Sequence, residues 1–516
     1  MRAWLTLCVV ACLAAGATAC TADQPDAVTL RVLASSDLAD VRPLLEDLRR
    51  DTGVRLELDL GGTVDAANAL TPGRYTHDAA WLSSDNYFQL KLRATGERAP
   101  LATRTMLSPV VIGVKPAVAR QLRDGSPDGQ PSWADIADRA AAGELRFGMA
   151  DPRRTGSGLA ALVGVATAAS GTGGVLRAED LTCDRLRGLF SGRSLTADTS
   201  EQLVGEFVGR QDELDAMINY ESVLLSLNAA GTLREPLEIL YPRDGIVLSS
   251  YPMLLLDPAR RDAYDRVVEW LTGPAGQRRL METTLRRPID PEVARDPRLS
   301  EPIGNALYFP DDRAVVDQLL TAYEDPSVRT PGHVIFVLDF SESMRGERAA
   351  GLRAAFAALS GDDPTASGKF TRFYRGERFT VVRFAGTVLG RHDVTIGGRA
   401  DLDAQRTFLA ADDFHPGTAV WSALDEGYRV AAAALAENPA RPVTVVLMTD
   451  GENNAGIDAE EFLRRNATVP VHTFTVRLGE ADPAALERVA TATGGRSVDA
   501  TGTSLLDAFK EIRGCG

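Results

Sequence analysis

Five cysteines and five histidines are few for 516 residues. No C-x-x-C pair is matched by a histidine spacing, so neither a disulfide scaffold nor a structural zinc site is expected. The histidines, His77, His333, His392, His415 and His472, show no H-E-x-x-H spacing, and no G-x-S-x-G elbow is present. Gly368-Lys369 fails as a phosphate loop, because Asp363 stands where the first glycine belongs and Phe370 replaces the Ser or Thr. The expectation is a protein that is not an enzyme. Basic residues are also in deficit: 56 Lys and Arg against 71 Asp and Glu leave a net charge of −15. That balance repels polyanions, so no nucleic-acid partner is expected. Past the N-terminus no run of 18 uninterrupted apolar residues occurs, so no later segment should span a bilayer.

What the chain does have is length and apolar content. At 44% hydrophobic residues, 516 positions accommodate about two to four domains with full cores. Met1-Arg2, the apolar run Ala3–Ala19 and the polar stretch from Thr21 read as a secretory signal. Ala17-Thr18-Ala19-Cys20 resembles the lipobox of bacterial lipoproteins. The resemblance implies loss of residues 1–19, acylation of Cys20, and a polar tether over 20–27. The mature protein would then sit on the outer face of a bacterial cytoplasmic membrane, or be secreted if Cys20 is not acylated. Cys183 and Cys515 would remain, either paired or as buried thiols.

Strand-like and helix-like patterns alternate from Val28 onward, which predicts α/β architecture with largely parallel sheets and ligand crevices past the carboxyl ends of the strands. Val28–Ala34 reads as a strand, and Ser35-Ser36-Asp37 as helix caps for an amphipathic stretch Leu38–Arg50. Val54–Leu58 is a second strand, leading to Gly61-Gly62-Thr63. Further strand ends fall at Trp81-Leu82-Ser83-Ser84, at Asp151 before Thr155-Gly156-Ser157-Gly158, and at Tyr220-Glu221. Residues 291–330 read as a proline-rich connector with a helical piece at Ala314–Tyr323, and a second unit occupies 331–516.

In the second unit the apolar strand Val334–Leu338 delivers Asp339-Phe340-Ser341-Glu342-Ser343 to its carboxyl end. Pro416-Gly417-Thr418 opens a helix over Ala419–Leu435, and Val443–Met448 delivers Thr449-Asp450-Gly451. Three loops at one rim of a sheet can thus present oxygen donors only, which suits a small hard cation. Taken singly, the aspartates equally suit solvated strand ends, and Ser343 and Thr418 suit helix caps. The set resembles the metal-ion-dependent adhesion site of von Willebrand factor type A domains. That resemblance implies a mostly parallel sheet with helices on both faces. It also implies Mg²⁺ or Mn²⁺ held by Asp339, Ser341, Ser343, Thr418 and Asp450, with one position open to an acidic side chain of a protein partner.

Over 28–290 the hydroxyl-rich strand ends resemble a type II periplasmic, or extracellular, solute-binding protein. Two α/β lobes are implied, with chain crossings near Leu107–Gly113 and Tyr241–Ser250. A small polar or anionic solute would lie among Ser35, Ser36, Thr63, Trp81, Ser83, Thr155, Gly156, Ser157, Tyr220 and Glu221. The same hydroxyls suit helix caps that bind nothing, and Trp81 suits a core. Three roles therefore stay open: a sensing or adhesion lipoprotein, the solute receptor of an ABC-type transport system, and an envelope adhesin whose solute-binding fold is empty.

Overall fold

A computed structural model of the chain describes residues 28–181, 186–324 and 330–513. The signal segment, Cys20, the tether 20–27, Cys183 and Cys515 lie outside the described residues. Among the described residues no helix is long and apolar enough to cross a membrane.

Two sheets form the first unit. One runs in the order Val54–Gly61, Val28–Ser35, Ala79–Trp81, Pro252–Leu255, Leu101–Arg104. The other runs Leu248–Ser249, Ser108–Val114, Ala216–Tyr220, Phe147–Ala150, Arg193–Ala197, with Glu238–Leu240 also against Ser108–Val114. Both are mixed rather than largely parallel. Val28–Ser35 is parallel to its two neighbours, whereas Pro252–Leu255 and Ser108–Val114 run antiparallel to theirs. The chain crosses between lobes at residues 105–107 and 250–251, because strand Ser108–Val114 and strand Leu248–Ser249 already belong to the second lobe. The expected crossing ranges therefore ran too far into that lobe. At the second crossing Tyr251 is fully buried with φ 44°, a left-handed conformation that is costly for a side chain of this size. Its hydroxyl donates to Asp37 Oδ2 at 2.7 Å, and its backbone carbonyl accepts from Thr105 Oγ1 at 2.7 Å. The stretch Leu38–Arg50 is not one α-helix: a 3₁₀ segment covers Ser36–Leu44 and an α-helix Leu45–Thr52. Pro43, which has no amide hydrogen to give, stands at the junction.

The second unit is one sheet in the order Val388–Thr395, Arg378–Phe384, His333–Asp339, Val443–Thr449, His472–Arg477, Ser497–Asp499. Only Val388–Thr395 is antiparallel. Strand His333–Asp339 is apolar on both faces because both are covered. Phe336 and Leu338 join a core with helices Glu347–Ala357 and Leu505–Arg513, while Ile335 and Val337 pack on the opposite side with helix Val420–Glu437.

The units are docked through the second lobe. Phe370 enters the core of the first unit. Beside it Lys369 pairs with the buried Asp135, Arg372 pairs with Asp138, and the Arg375 amide donates to the Ala141 carbonyl at 2.7 Å.

Candidate functional site

Strand His333–Asp339 and strand Val443–Thr449 are parallel neighbours, so their carboxyl ends leave the sheet side by side. Asp339 and Asp450 arrive at one rim by this geometry. The third loop is tied to the first through its backbone: the His415 amide donates to the Phe340 carbonyl at 3.1 Å, and the Glu342 amide to the His415 carbonyl at 3.1 Å. Asn454 fixes Thr418 from the other side, its side-chain oxygen accepting from the Thr418 amide at 2.8 Å.

The donor atoms lie close together. Ser341 Oγ is 2.9 Å from Ser343 Oγ, which donates to Asp450 Oδ1 at 2.8 Å. Asp339 is fully buried, accepting from the Ser341 amide at 2.7 Å and from Thr449 Oγ1 at 2.6 Å. Burial pushes its carboxyl up to about 6 against the pull of those hydrogen bonds, and the neighbouring Asp450 carboxylate adds to the rise. Thr418 stands beside Gly451: a Cβ at that glycine would lie 3.4 Å from Thr418 Oγ1. Arg348 pairs with the second Asp450 oxygen at this rim.

These residues fit a small divalent cation. Neighbouring ligands on an octahedron of radius about 2.1 Å are about 3 Å apart, and Ser341 Oγ and Ser343 Oγ are 2.9 Å apart here, with Asp450 accepting from Ser343 behind them. Among the described residues no group of three or more His, Cys, Asp or Glu side chains gathers at one point, so a cation at this rim depends on the hydroxyls. Thr449, Asn454 and Arg348 escape a motif-based reading. Thr449 has a signal in its place just before Asp450, whereas the reach of Arg348 is visible only in the fold.

In the first unit the structure brings together Ser35, Thr63, Ser83, Gly156 and Tyr220. Ser35 Oγ is 2.6 Å from Thr63 Oγ1, which is 2.7 Å from Ser83 Oγ; the Tyr220 hydroxyl donates to Ser83 Oγ at 2.8 Å, and the Ser83 amide to Ser35 Oγ at 2.7 Å. Glycine is required at 156, since a Cβ there would meet Ser83 Oγ at 2.3 Å and the Tyr220 hydroxyl at 2.6 Å. Desolvation pushes the Tyr220 phenol well above its usual range, so it stays a neutral donor. The Arg154 carbonyl of the second lobe accepts from the Val64 and Asp65 amides of the first at 2.9 and 3.3 Å.

The other expected solute residues lie outside this cluster. Thr155 caps its own helix, accepting from the Gly158 amide at 3.1 Å, and Ser157 Oγ is 2.9 Å from Ser200 Oγ. Trp81 is a core residue whose indole donates to Thr105 Oγ1 at 3.0 Å. Ser36 opens the 3₁₀ segment. Glu221, fully buried, holds Arg287 through two bonds of 2.6 and 2.8 Å and accepts from the Tyr241 hydroxyl.

The family model described as bacterial extracellular solute-binding protein matches residues 30–284, and that of the von Willebrand factor type A domain matches 333–511. Comparison with curated proteins gives no match. Among solved structures, iron-bound HitA from Pseudomonas aeruginosa is 17% identical, with a TM-score of 0.45, covering 58% of this chain and 99% of that one. The fructose-6-phosphate-bound periplasmic binding protein AfuA from Actinobacillus pleuropneumoniae is 15% identical, with a TM-score of 0.45, covering 58% and 98%. The ferric binding protein from Campylobacter jejuni is 11% identical, with a TM-score of 0.44, covering 57% and 98%. The chain is thus a fusion of two families, a bacterial extracellular solute-binding domain over residues 30–284 and a von Willebrand factor type A domain over 333–511.

Proposed function

We propose that this is an extracytoplasmic binding protein, held to the outer face of the membrane through a lipid on Cys20, whose type A domain takes Mg²⁺ or Mn²⁺ and through it engages an acidic side chain of a protein partner. The observation that carries this reading is the rim itself, where the hydroxyls of Ser341 and Ser343 lie 2.9 Å apart, Asp450 accepts from Ser343, Asp339 accepts from the Ser341 amide, and Thr418 stands alongside. Ser341, Ser343 and Thr418 would hold the ion, while Asp339 and Asp450 orient the hydroxyls and balance its charge. A bound divalent cation supplies an electrophilic position for a carboxylate. The work of the rim is recognition.

Capture of a small polar or anionic solute by the first domain is the second reading, favoured by the family match over 30–284. In that reading the protein is a sensor that reports a captured solute, or the receptor of a transport system. A solute would have to displace the contacts among Ser35, Thr63, Ser83 and Tyr220.

Titration calorimetry of MgCl₂ into the full chain tests the metal reading. Saturable binding is expected in the wild type and none in Asp450→Ala; equal heats from both would refute it. Replacement of Cys20 by Ser should move the protein from the membrane to the aqueous fraction, and continued membrane retention would refute the anchor.

A further inference from the structure

Helix Arg313–Glu324 belongs to neither sheet of the first unit, yet it touches both lobes. Val315, Val316, Leu319 and Tyr323 enter one core cluster with Leu82, Phe88 and Leu90 of the first lobe and Leu159, Leu162 and Val163 of the second. The helix packs on helix Asn86–Thr95 in one lobe and on Gly156–Ser170 in the other. Its last residue, Glu324, pairs with Arg153 at 2.9 Å. The adjacent Arg154 bridges Asp65 of the first lobe at 3.0 Å and Asp198 of the second at 2.6 Å, and its carbonyl covers the Val64 and Asp65 amides. Opening the lobes would thus uncover apolar helix, break an inter-lobe ion pair, and leave hydroxyls and amides that now satisfy one another in need of new partners.

We propose that helix Arg313–Glu324 is a strap that keeps the cleft shut on its own hydroxyls, so that the two-lobed domain is a locked body that admits a solute only once the strap is released. The strap leads toward the type A domain, whose first strand begins at His333 and which grips the second lobe through Phe370, Lys369 and Arg372. A pull on that domain is therefore the natural release. The proposal stands apart from the metal reading, since none of the rim residues takes part in it.

Hydrogen exchange in the full chain is the test. The first amides of a helix have no carbonyl within their own helix, so Val64 and Asp65 are protected only while Arg154 covers them. In the wild type, a peptide spanning 62–66 should exchange at least tenfold more slowly than the exposed segment 97–99. Leu319→Ala should speed exchange at 62–66 at least fivefold while strand Val28–Ser35 keeps its protection. Wild-type exchange at 62–66 as fast as at 97–99, or no change in Leu319→Ala, would overturn the strap. Should Leu319→Ala loosen Val28–Ser35 as well, Glu324→Gln decides: about twofold faster exchange confined to 62–66 supports the strap, and none overturns it.

Discussion

The rim of the type A domain and the cleft of the two-lobed domain are built from the same material, serines and threonines where strands give way to helices, yet they end in opposite states. In the cleft every hydroxyl of the cluster is matched to another, and a carbonyl from the far lobe covers the exposed amides. At the rim two buried carboxylates stand among the hydroxyls, and one of them, Asp450, is paired with the exposed Arg348. The hydroxyl cluster of the cleft carries no charge of its own, whereas at the rim burial pushes the Asp339 carboxyl up to about 6 and the buried Asp450 has Arg348 as its counter-charge. The same hydroxyls thus close on one another where no charge lies among them, and stand beside carboxylates at the rim.

This contrast can be broken first at Glu221. Its removal leaves the buried Arg287 without a counter-charge beneath the cleft, and Glu221→Ala should lose about 3–5 kcal/mol in urea unfolding. A loss below about 1 kcal/mol would mean that water reaches Arg287 and that the cleft floor is not sealed.

Acid should separate the two domains next. Burial, helped by Arg378 and Arg441, holds the His333 imidazole down at about 4. The unfolded chain takes up a proton near pH 6.5 that the folded domain accepts only near 4, so this contribution is complete above pH 6.5 and is lost as the pH falls toward 4. It amounts to on the order of 3 kcal/mol. The type A domain of His333→Gln should show a flatter fall in urea midpoint between pH 7 and 4.5 than the wild type; parallel curves would remove His333 as the cause.

Smaller effects sharpen the comparison. Tyr220→Phe deletes one hydrogen bond within a balanced cluster and should cost about 1 kcal/mol of first-domain stability. Arg348→Ala removes an exposed guanidinium whose partner, the buried Asp450, keeps its hydrogen bond from Ser343, and should cost under about 1 kcal/mol in metal-free buffer. A larger loss for Arg348 than for Tyr220 would reverse the expected order.

Much of this was legible in the residues. The buried strands His333–Asp339 and Val443–Thr449 announce themselves by the apolar runs Val334–Leu338 and Val445–Met448, and the aspartates follow at or just after their ends. The mixed pairing in the lobes was not legible, because strand direction is decided where the chain crosses, and neither 105–107 nor 250–251 has a distinctive composition. Periodicity also hid Pro43, whose ring divides a pattern that otherwise reads as one helix. Ser35 and Thr155 look alike in sequence. Yet Thr155 caps its helix while Ser35 makes no cap and turns to Thr63 and Ser83. What covers the Val64 and Asp65 amides is a backbone carbonyl, which no residue identity could announce.

Whether the rim takes a divalent cation is decided by differential scanning calorimetry of the full chain with MgCl₂ against chelator. At an ion concentration a hundredfold above its dissociation constant, binding adds about 2.7 kcal/mol to the folded state. Mg²⁺ should raise the transition of the type A domain and leave that of the two-lobed domain unmoved, and Asp450→Ala should abolish the rise. Identical transitions with Mg²⁺ and chelator, or an equal rise in Asp450→Ala, would contradict cation binding at the rim.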